Sequence, residues 1–147
     1  LRSKLGLVDL QNNWVKGRYL KLNKKYYNQS LIYPLPEKGL KGLGVHTSFD
    51  LDGIVRFGPD TFDIDSIDYK VEEDALEAMW QAIQKTFKGI EKSDLSLDYA
   101  GIRAKIRGND DFIIQSPLKG YVECLGIESP GLTASPAIAK YLVENLL

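Results

Sequence analysis

The chain has 147 residues, 44% of them hydrophobic and 27% charged, which suits one globular domain with a sizeable core and is too little for two ordinary ones. A net charge of -1 removes the electrostatic case for nucleic acid or an anionic membrane surface. Cys124, the single cysteine, excludes an internal disulfide or a thiolate zinc site and points to a reducing, cytoplasmic setting.

No apolar run approaches the roughly 20 residues that span a bilayer, so no transmembrane segment or signal peptide is expected. Leu1 is not a methionine, and the first ten residues read like the middle of a chain, so the sequence is expected to be a piece of a longer protein. A single domain over 1–147 is expected, with a sheet portion at 11–125 and a C-terminal segment at 126–147.

In chain order, WVKGRYLKL (14–22) carries the aromatic and β-branched residues of a half-buried strand. Asn28-Gln29-Ser30 matches a glycosylation sequon by chance. In LIYPLP, Pro34 and Pro36 force an extended edge or an irregular path. GLGVHTSF and GIVRFGP flank Asp50-Leu51-Asp52-Gly53 and predict a hairpin. Asp60 to Asp68 reads as an acidic loop, with a short strand around Ile64–Tyr69.

Leu76, Met79, Trp80, Ile83 and Phe87 recur at three-to-four spacing and predict a helix over Glu73–Lys88, stopped by Gly89. Strands follow at Leu95–Ile106, Asp111–Gln115 and Tyr121–Ile127, the first two joined by the turn Gly108-Asn109-Asp110. The last helix is expected to start behind a Thr133 or Ser135 cap and to pack through Ile138, Leu142, Val143 and Leu146. The sum is α+β: a mainly antiparallel or mixed sheet with two main helices.

Two apparent motifs fail on spacing. Gly39 to Gly44 reverses the dinucleotide fingerprint and precedes a strand rather than a helix. The Asp50/Asp52 and Asp60/Asp63/Asp65 groups lack the spacing and terminal glutamate of a calcium loop, so no metal is expected.

Three places carry chemistry. His46, the only histidine, is either a hydrogen-bonded strand residue or a general base, since imidazole titrates in the physiological range. Arg103 is either a surface arginine or a planar fork for a carboxylate. In GIESPGLTASPAIA (126–139), Gly126 and Gly131 admit close backbone approach and a helix start offers free amides, or the segment is an ordinary turn before a helix.

Gly17-Arg18-Tyr19-Leu20, GLGVHTSFDLDGIVRFGPD (42–60), YAGIRAKI (99–106) and above all GIESPGLTASPAIA occur in an order that resembles the C-terminal half of the D-amino-acid oxidase superfamily of flavin-dependent oxidoreductases. The nearest likeness is to the L-2-hydroxyglutarate oxidase (dehydrogenase) group. The resemblance implies an FAD enzyme that oxidises a small 2-hydroxy acid to the 2-oxo acid by hydride transfer to flavin. It implies His46 as base, Arg103 as catalytic and carboxylate-binding residue, and Tyr33 in the substrate pocket. Gly101, Gly126, Gly131, Leu132 and Thr133 would be cofactor-binding.

Ala104 stands where the family usually has proline, the loop before GIESPG is short, and no G-x-G-x-x-G region is present to cradle the pyrophosphate. An N-terminal FAD-binding half is therefore an expected partner, and surface exposed without it predicts a homo-oligomer. A stand-alone binding domain or inactive remnant remains the competing reading, as does oxidation of glycerol 3-phosphate or an amino acid.

Overall fold

The computed structural model describes residues 1–26, 30–35 and 44–147. Asn28 and Gln29 of the sequon, Pro36, and all of the Gly39–Gly44 run except Gly44 lie outside the described residues. The strands are β1 (Asn12–Leu22), β2 (His46–Phe49), β3 (Val55–Ile64), β4 (Leu95–Ile106), β5 (Ile113–Leu118) and β6 (Tyr121–Leu125). The helices are α1 (Asp74–Thr86) and α2 (Gly131–Asn145). A four-stranded sheet ordered β2-β3-β1-β4, a two-stranded sheet β5-β6 and two helices make the α+β class that the sequence predicts. The chain forms two compact units, one of Val15–Ile102 and one of Leu1–Trp14 with Arg103–Leu147.

In the unit Val15–Ile102, β2 and β3 form the predicted hairpin, pairing His46 with Gly58, Thr47 with Phe57, Ser48 with Arg56 and Phe49 with Val55. Its turn is built by Asp50, whose Oδ1 accepts the amides of Asp52 at 3.0 Å and Ile54 at 2.8 Å. Gly53 closes the turn at φ +76, where only glycine is unstrained. Antiparallel pairing puts Thr47 and Phe57 on one face, both fully buried, and His46, Ser48 and Arg56 on the other. Leu20, Leu22, Val55 and Phe57 meet Ala75, Met79 and Ile83 of α1 in one core. The 75, 79, 83 spacing is one helix face, and burying Met79 or Ile83 contributes about 1.5–3 kcal/mol each.

Two expectations in this unit are corrected. The helix stops at Thr86, and Phe87 turns to φ -116, ψ 122, so that its ring meets Phe57 edge-on at 4.9 Å. The acidic segment beginning at Asp60 is not a loop at its start, because β3 continues to Ile64, and of the expected strand Ile64–Tyr69 only Ile64, the end of β3, is in a strand. The cause is Arg18, whose backbone amide donates to Asp60 Oδ1 at 3.0 Å and whose guanidinium donates to Oδ2 at 2.7 and 3.0 Å. Past Ile64, Asp68 instead receives Lys16 Nζ at 3.0 Å and the Lys70 amide at 3.0 Å.

In the unit Leu1–Trp14 with Arg103–Leu147, β5 and β6 pair Ile113 with Leu125, Ile114 with Cys124 and Gln115 with Glu123. The pairing resumes at Leu118–Tyr121, beyond the predicted end at Gln115. The Ser116 hydroxyl bridges the irregularity by donating to the carbonyls of Leu118 and Tyr121. β6 ends at Leu125 rather than Ile127.

The predicted cap of α2 is corrected as well. The helix begins at Gly131 with Pro130 before it, and Thr133 and Ser135 lie inside it, donating to the carbonyls of Pro130 at 2.9 Å and Leu132 at 2.8 Å. Leu132 is the residue four before Pro136, so Ser135 supplies the hydrogen bond that the proline cannot. Ile138, Leu142 and Leu146 are half-buried as a four-residue row, whereas Val143, off that row, is 67% exposed. No helix among the described residues is long and apolar enough to cross a membrane.

Candidate active site

The His46 region begins with a backbone tie to β2. The Ile32 amide donates to Thr47 Oγ1 at 2.8 Å, and the Thr47 amide donates to the Ile32 carbonyl at 3.2 Å. This holds the LIYPL segment beside β2 and brings Tyr33, the next residue, onto His46. The two rings stack with centroids 4.5 Å apart and planes inclined by 23°. His46 Nδ1 lies 2.9 Å from the Gly44 carbonyl. A carbonyl only accepts, so in neutral imidazole Nδ1 carries the hydrogen and Nε2 keeps the lone pair. Gly44 turns its carbonyl this way at φ +73, a conformation that favours glycine.

The face that carries His46 also carries residues that sequence reading missed. Gly58, opposite His46, lies under Tyr19, and a Cβ there would stand 2.7 Å from Tyr19 Cδ1. Tyr19 stacks on Tyr99 at 4.6 Å and 14°. Arg56 lies over the Tyr99 ring at 5.8 Å and is itself held by Asp98 and, at 2.7 Å, by Asp50. The Tyr19–Tyr99 pair therefore bridges the neighbouring strands β1 and β4. Burial raises the Tyr99 phenol above its ordinary pKa, Arg56 opposes that and Asp98 adds to it, so Tyr99 stays protonated. Gly101, two residues along β4, has open space where a Cβ would stand.

Arg18, part of the short motif Gly17-Arg18-Tyr19-Leu20, pairs with several carboxylates of this unit. It meets Asp60, Glu72 and Asp74, and its guanidinium lies 4.8 Å over Phe62. Burial alone would lower its proton affinity, but the hydrogen bonds to Asp60 and Asp74 raise it above the ordinary value. With Lys16 on Asp68 and Glu72, this network fastens the start of α1 to β1. It is a support for the fold.

Arg103 and the α2 turn belong to the other unit. Arg103 Nη1 lies 3.5 Å from Glu128 Oε2, and Lys105 Nζ lies 3.5 Å from Glu128 Oε1. Lys105 also reaches Asp110 at 3.2 Å, which raises the lysine pKa. Gly126 takes φ +64 at the start of the turn, and the Glu128 amide donates to its carbonyl at 2.9 Å. Gly131 is buried, and a Cβ there would stand 2.5 Å from Ile127 Cγ2, so its bareness serves this chain's own packing. Leu132 is 89% exposed and Thr133 exposed. Among the described residues, no backbone acceptor takes the amides of Leu132 and Thr133, whereas the Gly131 amide goes to Glu128 and the Ala134 amide to Pro130. Two donors at the positive end of α2 are thus available to an oxygen from outside.

Of the expected site residues, Tyr33 and His46 are brought together in one unit, which also holds Gly101. Arg103, Gly126, Gly131, Leu132 and Thr133 lie in the other, linked by Glu128. Glu128 was readable only as a letter of GIESPG, because nothing in the sequence pairs it with Arg103. Among the described residues, no group of three His, Cys, Asp or Glu could hold a metal ion.

Comparison with known proteins gives the family. The model of the FAD dependent oxidoreductase family matches residues 2–145. The mitochondrial L-2-hydroxyglutarate dehydrogenase of Arabidopsis thaliana is 37% identical over 156 aligned residues, which cover 92% of this chain and 32% of that protein. The glycerol 3-phosphate dehydrogenase of Caloramator mitchellensis is 32% identical, over 89% of this chain and 28% of its own length. Among solved structures, the dithionite-reduced L-alpha-glycerophosphate oxidase of Mycoplasma pneumoniae with FAD bound superposes with a TM-score of 0.76 at 26% identity. That match covers 97% of this chain and 39% of the oxidase. The chain spans about a third of the length of these relatives. It belongs to the FAD dependent oxidoreductase family, whose cofactor is FAD.

Proposed function

We propose that this member of the FAD dependent oxidoreductase family is the substrate-side portion of an enzyme that oxidises a 2-hydroxy acid resembling L-2-hydroxyglutarate to the 2-oxo acid, together with an N-terminal FAD-binding half. The observation that carries the reading is His46: its Nδ1 faces a carbonyl, its ring lies flat on Tyr33, and its Nε2 keeps a lone pair. That is the protonation pattern of a base for an alcohol proton. The 37% identity to a 2-hydroxyglutarate enzyme supports the substrate class.

FAD, when bound, supplies the hydride acceptor. The residues present fit it at α2, where the Leu132 and Thr133 amides are free to donate to an anionic oxygen of the cofactor. His46 Nε2 takes the hydroxyl proton as the hydride leaves the adjacent carbon. The exposed part of the Arg103 guanidinium holds the substrate carboxylate, and Tyr33 keeps the imidazole in its plane.

Oxidation of glycerol 3-phosphate is a second reading, favoured by the 32% identity to a glycerol 3-phosphate dehydrogenase and by the fit to the FAD-bound oxidase. A guanidinium suits phosphate as well as carboxylate. Production of the chain together with an FAD-binding half, followed by anaerobic mixing with each substrate, tests both. A yellow complex bleached by L-2-hydroxyglutarate supports the first reading, and bleaching by glycerol 3-phosphate alone supports the second. A colourless complex overturns both.

A further inference from the structure

Glu128 occupies a position that neither the motif nor the proposed chemistry explains. Its backbone builds the turn into α2: its amide donates to the Gly126 carbonyl, and its carbonyl accepts the Gly131 amide. Its side chain, only 15% exposed, leaves that turn and divides its two oxygens between Arg103 and Lys105, each at 3.5 Å. The Arg103 side chain is 39% exposed, so it remains accessible to solvent while Nη1 lies against Glu128. Lys105 has a second partner in Asp110. An arginine on the surface samples many rotamers, and binding a carboxylate with it costs that freedom.

We propose that Glu128 is a positioning residue. It holds Arg103 in the rotamer that receives the substrate's acidic group and ties that rotamer to the turn whose free amides begin α2. Lys105 makes this arrangement durable, because Glu128 keeps a cation on its other oxygen when Arg103 engages a ligand. The inference rests on the proposed role of Arg103. It adds that carboxylate recognition and the seating of the α2 turn share one side chain.

The alternative is that Glu128 merely competes with the ligand for Arg103. The two predict opposite signs. Glu128→Gln keeps the size of the side chain and removes its charge; if Glu128 only competes, anions bind more tightly, and if it positions, they bind more weakly.

The test uses the full 147-residue chain, wild type, Glu128→Gln, Glu128→Asp and Arg103→Lys, with NMR detection of the arginine Nε–H signals and titration with 2-oxoglutarate and glycerol 3-phosphate. We expect the Arg103 Nε–H signal to be ordered in the wild type and averaged in Glu128→Gln. Anion affinity should be about fivefold weaker in Glu128→Gln, the size of one side chain's ordering cost. Glu128→Asp should recover part of the loss. An Arg103 signal equally mobile in wild type and Glu128→Gln overturns the inference, as does unchanged or tighter anion binding in Glu128→Gln. Arg103→Lys separates the two layers: if it binds as tightly as wild type, the substrate role of Arg103 fails, while the Arg103 signal still reports whether Glu128 orders it.

Discussion

The imidazole of His46 lies face to face with the ring of Tyr33, with 4.5 Å between centroids. With the Gly44 carbonyl on Nδ1, the stack leaves the imidazole one orientation. An offset aromatic pair contributes about 0.5–1.5 kcal/mol, so Tyr33→Ala should slow flavin reduction by about three- to tenfold while Tyr33→Phe keeps the rate. His46→Gln should slow it by about 100-fold or more, the usual worth of a general base. Single-turnover bleaching of the FAD-loaded complex measures all three. Equal rates for Tyr33→Ala and Tyr33→Phe, both as in wild type, would remove the positioning role of the stack.

Arg18 is 5% exposed and faces three carboxylates, so replacing it removes the cation that pairs with Asp60 and Asp74 at the junction of β1, β3 and α1, while Glu72 keeps Lys16. Arg18→Met should destabilise the chain by about 1.5–3 kcal/mol, the usual worth of hydrogen bonds to charged groups, because the guanidinium is buried while its carboxylate partners are partly exposed. Adding Asp60→Asn to Arg18→Met should recover part of that, since one unpaired charge goes. Urea unfolding of the two variants decides, and a loss below 1 kcal/mol in the single variant would show that the network carries no stability.

The same network contributes to the acid limit of the fold. The hydrogen bond from Arg18 holds the Asp74 carboxyl below its ordinary pKa, and the amide and cation partners of Asp68 and Glu72 do the same for them. A carboxyl whose pKa is lower folded than unfolded stabilises the fold above its unfolded pKa, and that contribution is lost as pH falls through the folded value. The thermal midpoint should therefore be level from neutral pH down to about pH 5 and then fall steadily below about pH 4. Asp74→Asn should flatten the acid limb and lower the neutral plateau. An unchanged limb in that variant would refute the assignment.

Gly58 and Gly101 face different constraints. A Cβ on Gly58 would lie 2.7 Å from the Arg18 carbonyl oxygen and 2.7 Å from Tyr19 Cδ1, on a backbone at φ +149. Gly58→Ala should cost at least about 2 kcal/mol, because backbone must move and the conformation strains any side chain. Gly101→Ala meets nothing within 4 Å and should leave stability within about 0.5 kcal/mol. If Gly101 admits the cofactor, Gly101→Ala should weaken FAD retention without a change in the denaturation midpoint. Equal FAD retention would leave the glycine without a binding role.

What the sequence made legible was local. Asp50 and Gly53 announce the hairpin because both act on their own turn, and α1 announces itself through a spacing of three and four. The start of the acidic segment misread as loop depends on a partner 42 residues away, since Asp60 is a strand residue only because Arg18 is buried beside it. Glu128, in the turn before α2, was hidden for the same reason, its cations lying on β4. The α2 cap failed because a hydroxyl near a helix start can turn back to a carbonyl as easily as forward to an amide. His46 kept two readings because a tautomer depends on the atom opposite Nδ1, which only the fold supplies.

That backward turn of the hydroxyl gives the last prediction. Pro136 has no amide hydrogen for the Leu132 carbonyl four residues before it, and Ser135 Oγ donates there instead at 2.8 Å. Ser135→Ala should therefore destabilise α2 by about 0.5–1.5 kcal/mol, one hydrogen bond in an exposed setting. Pro136→Ala restores the amide and should stabilise the helix, since an interior proline costs about 3 kcal/mol relative to alanine. In the Pro136→Ala background, Ser135→Ala should cost almost nothing, because the carbonyl then has its ordinary partner. A double-mutant cycle followed by helical circular dichroism measures this coupling. Additive effects would mean that Ser135 does not substitute for the missing amide.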